Sequence, residues 1–549
     1  MSISAKNKEA GIPFADTLSP RSKWSYCFGG VGRDMAYALF SGSILTFILF
    51  TKSITDAQFA VLSIIIVACR IWDGFNDPIM GGIIENTRGR LGKFKPWLAI
   101  GALTNAVVLV LIFVVPLSGW AYIIFFGFMY LLWDITYTMN DIAYWSMLPA
   151  LTSNAKQRNS ITSLAIFFAG GGGAIAGLII PMFTVGNLAI GGNAVTAYAV
   201  IAVIISIAFL ASTALTFFGV KEKSITDSSN NEKIGVKRMI KILFKNDQLL
   251  WTALIFLLYN VGNTVIGGML SMYIYFEFGY NGTLAVIFGI ISGAVGVVAQ
   301  LLFPMIAAKF TRQQITAFAM MLAIVGYIAF FLTGIAWTMN FYVLAVTAIF
   351  FSLGHTLYYM VLTISTANTV EYNEWKTGSR DEGIIYSVRP FMAKMGSALQ
   401  QLVIMLVYLA IGVTVFTNGI SEAERSANLG AISEAVRDAR IAEVIASVPD
   451  SAKLAMRACM CFISLGLVLI SGLIYKRKVK LDEKTYAAMV AEINERKAAA
   501  NGNQSEADGT ETEPAEDGEA LSEGENTPET EVAENDASET EDTDTGAAE

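Results

Sequence analysis

The chain has 549 residues, of which 54% are hydrophobic and 15% charged, and a formal net charge of -8. Its apolar residues come in runs of twenty or more, which excludes a soluble globular domain and marks a polytopic membrane protein, since a bilayer core takes about 20 apolar residues per helix. The charge is unevenly placed: residues 501–549 hold 18 Asp and Glu and no Lys or Arg, so residues 1–500 carry 38 basic against the other 28 acidic residues, a balance of +10.

In chain order, residues 1–24 form a polar N-terminal segment without the short apolar core and cleavage site of a secretory signal, so the first span is expected to insert uncleaved. Twelve spans follow, centred near residues 38, 70, 105, 132, 170, 207, 260, 294, 323, 353, 400 and 464. Six lie within residues 25–220 and six within 248–478, and the polar segment 221–247 reads as a linker between two pseudo-repeated halves. Gly170 to Gly173 in span five predicts close helix approach. An oddly long loop, about Thr417 to residue 452, carries Leu429, Ile432 and Val436 at helical spacing and reads as one short amphipathic helix outside the membrane. Residues 479–500, with Tyr486, Met489, Val490 and Ile493 on one face, predict a helix lying on the inner surface or on the protein. The acidic tail, residues 501–549, has the composition of a disordered segment.

Basic residues recur at alternate span ends, in stretches 1–24, 86–95, 154–158, 221–245, 309–312, 376–380 and 476–480, and the positive-inside rule makes these ends cytoplasmic. Both termini are therefore expected inside. The four cysteines, Cys27, Cys69, Cys459 and Cys461, lie in or beside spans and read as core thiols rather than ligands. No nucleophile with a base, phosphate loop or metal cluster is present, so an enzyme and a resident metal or cofactor are not expected. No nucleic acid partner is expected.

Ionisable residues inside spans are few, and each has to pair, face water or bind something. Span two holds Arg70-Ile-Trp-Asp73-Gly-Phe-Asn76-Asp77-Pro78, two carboxylates four residues apart on one helical face. Each such aspartate costs about 2.5–3.5 kcal/mol to insert, so the default reading is ion or solute handling. Span four places Asp134, Thr138, Asp141 and Trp145 on one stripe, with Tyr137 one turn before Asp141. Span one adds Arg33 and Asp34, and span eleven Arg389 and Lys394. Oxygens of Asp73, Asn76, Asp77 and Thr138 suit a hard cation. Asp141 and Trp145 offer a sugar a carboxylate for its hydroxyls and an indole for its C–H face. The bland alternative is helix pairing, such as Arg70 with Asp73. Carboxylates at 34, 73, 77, 134 and 141 outnumber the nearby cations, which favours a bound cation.

WDGFNDPIMGGIIENTRGRLGKFKPW, YTMNDIAYWSMLP, KNDQL and YNEWKTGSRDEGIIYSVRPFMAKMGSA together make the chain resemble the glycoside-pentoside-hexuronide cation symporters of the major facilitator superfamily, over roughly residues 25–480. The resemblance implies an all-α membrane protein, twelve transmembrane helices in two six-helix bundles around a central cavity, acting as a symporter of a small sugar with sodium, lithium or a proton. It implies cation-binding roles for Asp73, Asp77, Asn76, Thr138 and Asp141, and substrate-binding roles for Asp34, Arg33, Tyr137, Asp141, Trp145 and Lys394. Three positions depart from a galactoside-carrying member: Ile166 replaces its span-five arginine, Tyr359 a span-ten tryptophan, and Arg389 a neutral residue. The pocket is thus rebuilt, and Arg389 and Tyr359 join the substrate-binding candidates. Gly81, Glu85 and Arg88 match the superfamily's bracing loop, and Arg380 is the counterpart in the second half, so Glu85, Arg88 and Arg380 are expected to form a cytoplasmic gate. Sodium is favoured over the proton, in a monomer of the bacterial cytoplasmic membrane. A different cargo, a lysolipid or organic anion, and a non-transporting sugar sensor are the alternatives.

Overall fold

The computed structural model describes residues 18–152, 154–221, 245–379 and 382–508. The chain divides into two units, residues 1–493 and 494–549, and the described residues of the second are helical. In the first unit α1 (Pro20–Gly29) and α2 (Val31–Thr51) form one membrane-length helix, followed by α3 (Asp56–Asn86), α4 (Lys95–Val114), α5 (Gly119–Leu151), α6 (Ala155–Thr184) and α7 (Ala194–Gly219). The second half comprises α8 (Asp247–Phe278), α9 (Gly282–Ala307), α10 (Arg312–Leu332), α11 (Phe341–Thr377), α12 (Glu382–Ile411), α13 (Val413–Asn428), α14 (Glu434–Ala446) and α15 (Asp450–Lys478); α16 (Glu483–Asp508) closes the order. Among the described residues twelve helices are long and apolar enough to cross a membrane, and each expected span centre falls inside one of them. The first begins at Pro20, five residues earlier than the polar composition suggests, because Ser19 caps it and Pro20 suits a first helical turn.

Backbone groups have no water to bond within a bilayer, so helix ends need partners of their own. Asn154, Asn193, Asn246, Asn281 and Asn340 each accept from the first turn of the helix they precede, and Thr55 with Gln58 and Thr311 with Gln314 form capping boxes. Asn246 also donates to the Thr369 carbonyl at 3.1 Å, so the KNDQL segment pins α8 to α11.

Within the first half α2 packs on α6 and α7, α3 on α5, and α4 on α5 and α7; within the second, α8 packs on α12 and α15, and α10 on α11 and α15. The halves meet where α3 lies on α12 and α6 on α9. Only one of the four successive glycines 170–173 in α6 explains a close approach: a Cβ at Gly172 would lie 2.3 Å from the Val31 carbonyl oxygen, whereas Gly170 and Gly171 face open space. That contact seats the start of α2, which carries Arg33 and Asp34.

Two expectations change. The long loop is a two-helix hairpin, α13 and α14, rather than one helix. Leu429, Ile432 and Val436 do not form its buried face, because the turn between the helices falls among them and leaves Leu429 78% exposed; Ile420, Ala423, Ile441 and Ile445 are buried instead. At the other end of the sequence order, α16 lies on the protein: Leu481, Met489 and Ile493 pack with Tyr372, Trp375 and Tyr486, and the Trp375 indole donates to Glu492 at 2.7 Å. The segment 222–244, most of the expected linker, and residues 509–549 of the expected tail lie outside the described residues.

Candidate functional site

Asp73 and Asp77 face α12, where Gly74 brings the two helices together: a Cβ there would stand 3.2 Å from the Phe391 ring. Pro78 gives no N–H to the carbonyl one turn back, which loosens the helix wall beside Asp77. Lys394, from α12, reaches both aspartates. Its ammonium lies 3.0 Å from Asp73 Oδ1, bonds Asp77 Oδ2, and approaches the Asp73 carbonyl oxygen at 3.4 Å. Four-residue spacing puts both carboxylates on one face, so a single cation serves the pair. Asn76 and Thr138 are buried, and the Asn76 amide nitrogen has no hydrogen-bond partner among the described residues. Asp134 is buried within electrostatic reach of Asp73, Arg70 and Lys394.

Arg70 does not pair with Asp73. A helical side chain leans toward the N-terminus, so the guanidinium of Arg70 climbs away from Asp73 and donates to Ser41 at 2.5 Å and Tyr37 at 3.4 Å on α2. Asp73 is left to Lys394.

A second cluster surrounds Arg33, which is only 2% exposed. Its Nη2 lies 2.7 Å from Asp34 Oδ1 and its Nη1 3.1 Å from Asp141 Oδ1. The guanidinium also stands over Tyr144 at 4.6 Å and over Trp145 at 5.0 Å from the ring centroids. One face of the expected stacking indole therefore already carries a cation. Tyr26 and Tyr144 stack at 4.5 Å and exchange hydrogen bonds with each other's carbonyls, fixing α1 against α5 beside this cluster. Tyr137 stacks on Trp133 at 5.0 Å and meets Tyr37 at 5.4 Å, within electrostatic reach of Asp141 and Arg33. Asp141 in turn lies within reach of Asp73 and Lys394, so the two clusters border one another. Five carboxylates (Asp34, Asp73, Asp77, Asp134 and Asp141) share three cations (Arg33, Arg70 and Lys394) there.

Arg389 and Tyr359 come together, but elsewhere. The guanidinium donates to the Tyr359 hydroxyl and stands 6.0 Å over Phe256, inside the second half, with no contact to either carboxylate cluster. Ile166, at the departed arginine position, is 57% exposed. Between the halves lies a hollow of about 70 Å³ lined by Ser41, Thr46, Gly268, Gln400, Gln401 and Tyr408, among others. It touches the first cluster through Ser41, the acceptor of Arg70. Gln400 and Gln401 carry no charge and so are not among the ionisable residues of the spans, yet two successive glutamines in an apolar span are a readable signal.

Among the described residues no hydrogen bond or ion pair joins Glu85 or Arg88 to the second half. Arg88 donates to the carbonyls of Glu85, at 2.6 Å, and Thr87, at 3.0 Å, and so closes the C-terminal end of its own helix, where a cation meets the helix dipole favourably. Arg380, their expected counterpart in the second half, lies outside the described residues.

A family model described as MFS/sugar transport protein matches residues 25–467. The chain belongs to that family. It is a transporter rather than an enzyme, and a multi-pass membrane protein, in bacteria of the cell membrane. The raffinose carrier protein of Pediococcus pentosaceus is 28% identical over 484 residues, covering 85% of this chain and 70% of that one. The lactose permease of Lactobacillus helveticus is 26% identical over 491 residues, covering 86% and 72%. The isoprimeverose transporter of Lactiplantibacillus pentosus is 28% identical over 391 residues, covering 68% and 78%. Among solved structures, a bacterial homologue of the human lysosomal transporter Spinster, inward-facing and unoccupied, superposes with a TM-score of 0.61 at 13% identity, over 85% of this chain and 97% of that one. A D-xylose-proton symporter gives 0.51 at 13% identity, over 74% and 96%. These two share the major facilitator fold.

Proposed function

We propose that the protein is a secondary active transporter that carries a small sugar together with a monovalent cation, sodium in preference to lithium or a proton, by alternating access. The observation that carries the reading is Lys394 bridging Asp73 and Asp77: an ammonium held by the two carboxylates best placed for an alkali ion. Sodium entering between them competes with that ammonium and uses oxygens of Asn76 and Thr138 as well. Once Lys394 is released, the surplus carboxylate charge is balanced by the ion, and the bordering cluster of Asp34, Asp141, Arg33, Tyr137 and Trp145 receives the sugar. Linkage then requires sugar to tighten sodium binding as much as sodium tightens sugar binding. A loaded site closes without an unpaired charge and an empty-handed one does not, which couples the two fluxes.

Relatives whose names specify raffinose, lactose and isoprimeverose support a sugar as cargo. Basic stretches at the alternate span ends support cytoplasmic termini and, with them, an outer position for the α13–α14 hairpin. Arg389 has no carboxylate beside it among the described residues, and this favours a cargo bearing an acidic group, such as a hexuronide, as the second reading.

The test is uptake of labelled mono- and disaccharides, including hexuronides, into vesicles under an imposed sodium or proton gradient. Asp77→Cys is expected to abolish sodium stimulation while the protein still reaches the membrane. Stimulation unchanged in that variant removes the cation site from Asp73 and Asp77.

A further inference from the structure

We propose that the α13–α14 hairpin is a latch that straps the second half of the transporter to the first at one end, and that its release is a step of the transport cycle. The inference rests on the alternating-access reading above for its role, and on contacts alone for its geometry.

The chain leaves the membrane helix α12 at Gly412, whose φ of 74° is a left-handed turn that side chains resist, and α13 starts directly after it. The hairpin then lands on the other half. Asn418 pairs with the backbone of Ile54 in both directions: its Oδ1 accepts from the Ile54 N–H and its Nδ2 donates to the Ile54 carbonyl, each at 2.9 Å. Ser421 Oγ stands 3.0 Å from Ser53 Oγ, and Thr414 donates to the Asp56 carboxylate. At the start of α7, Ala194 N–H donates to Glu424 Oε2 at 2.6 Å, so a carboxylate from one half completes the first turn of a helix in the other. Arg437, from α14, donates to the carbonyls of Gly192 and Gly186.

Both charged anchors are sequestered, Glu424 at 0% and Arg437 at 1% exposure. Burial pushes the Glu424 carboxyl above the usual range, with the Ala194 N–H, Arg437 and Tyr280 pulling the other way and Asp438 adding to the rise. Between described residues, the hydrogen bonds that cross from half to half are those of Lys394 and those that the hairpin makes at this end.

The chemistry of this contact suits repeated opening. Backbone N–H and carbonyl groups, hydroxyls, a carboxamide, a carboxylate and a guanidinium all find water when the halves separate, whereas a contact of equal area built from aliphatic side chains would not. The hairpin is tethered to the second half at Gly412 and at the turn before α15. It therefore has to let go of Ile54 and Ala194 for the hollow between the halves to open on its side.

Two experiments decide this. In a chain with its four native cysteines replaced, Ser53→Cys and Ser421→Cys are introduced together, oxidised, and the disulfide-linked peptide verified by mass spectrometry. Transport is expected to fall at least tenfold and to recover on reduction. Separately, Asn418→Ala is combined with Thr46→Cys, a residue lining the hollow, and labelled with a membrane-impermeant maleimide from the hairpin side. Labelling is expected to accelerate about tenfold over the parent, and this readout needs no cargo. Undiminished flux in the cross-linked chain would show that the hairpin rides with the first half and overturns the latch, as does unchanged labelling. If the reduced double-cysteine chain moves no sugar from the panel, the cargo reading fails while the labelling result still judges the latch.

Discussion

Lys394→Met is expected to make the stability of the protein depend on sodium. In the parent the ammonium is shared by two carboxylates whose side chains are 13% and 33% exposed, Asp73 and Asp77. Removing one partner of a buried ion pair costs on the order of 3–5 kcal/mol, and the partial exposure of Asp77 places this case at about 3. The bare pair then gains more from sodium than the parent does, because no tethered ammonium competes for it. At sodium concentrations about 100-fold above the dissociation constant the ion adds about 2.7 kcal/mol to the folded state. Thermal unfolding in detergent, titrated with sodium chloride against choline chloride, reads this directly. The variant is expected to melt well below the parent in choline and to recover most of the difference in sodium. A melting temperature in the variant that ignores sodium would mean that Asp73 and Asp77 hold no alkali ion.

Asp141→Asn separates the two clusters. The carboxylate now shares Arg33 with Asp34, and in the proposed complex it accepts from sugar hydroxyls. A hydrogen bond to a charged group contributes about 1.5–3 kcal/mol, so sugar affinity measured by calorimetry is expected to fall roughly 10- to 150-fold. The thermal response to sodium is expected to stay close to that of the parent, since Lys394 still joins Asp73 and Asp77 on a different helix, α3. Equal loss of both responses would show one fused site in place of two bordering ones.

The membrane spans were legible because hydrocarbon imposes one requirement on every helix, and runs of apolar residues record it without reference to tertiary contacts. Asp73, Asp77, Asp141 and Arg33 were legible for the converse reason: charges inside those runs are too costly to be incidental. Partnership was not legible. That Lys394 takes both aspartates while Arg70 turns to Ser41 depends on which faces of α3, α12 and α2 meet, and on the backward lean of a helical side chain. Arg33 and Arg389 looked like equals in composition, yet one is held by two aspartates and the other by a tyrosine in the opposite half. The hairpin was the least readable element. Its apolar residues at helical spacing straddle a turn, and its anchors are two charged side chains and a carboxamide, which in sequence look like ordinary solvated loop residues.

The guanidinium of Arg33 resting over the indole of Trp145 has one more consequence. On the proposed reading, a carbohydrate ring that stacks on that face of the indole has to lift the arginine away, so loading there is an exchange. Ligands would then be ranked by how well they replace a delocalised cation on an aromatic plane, and the same side chain would help to eject them afterwards. Affinity in such a pocket is held down by construction, which suits a carrier that has to unload each time it turns over.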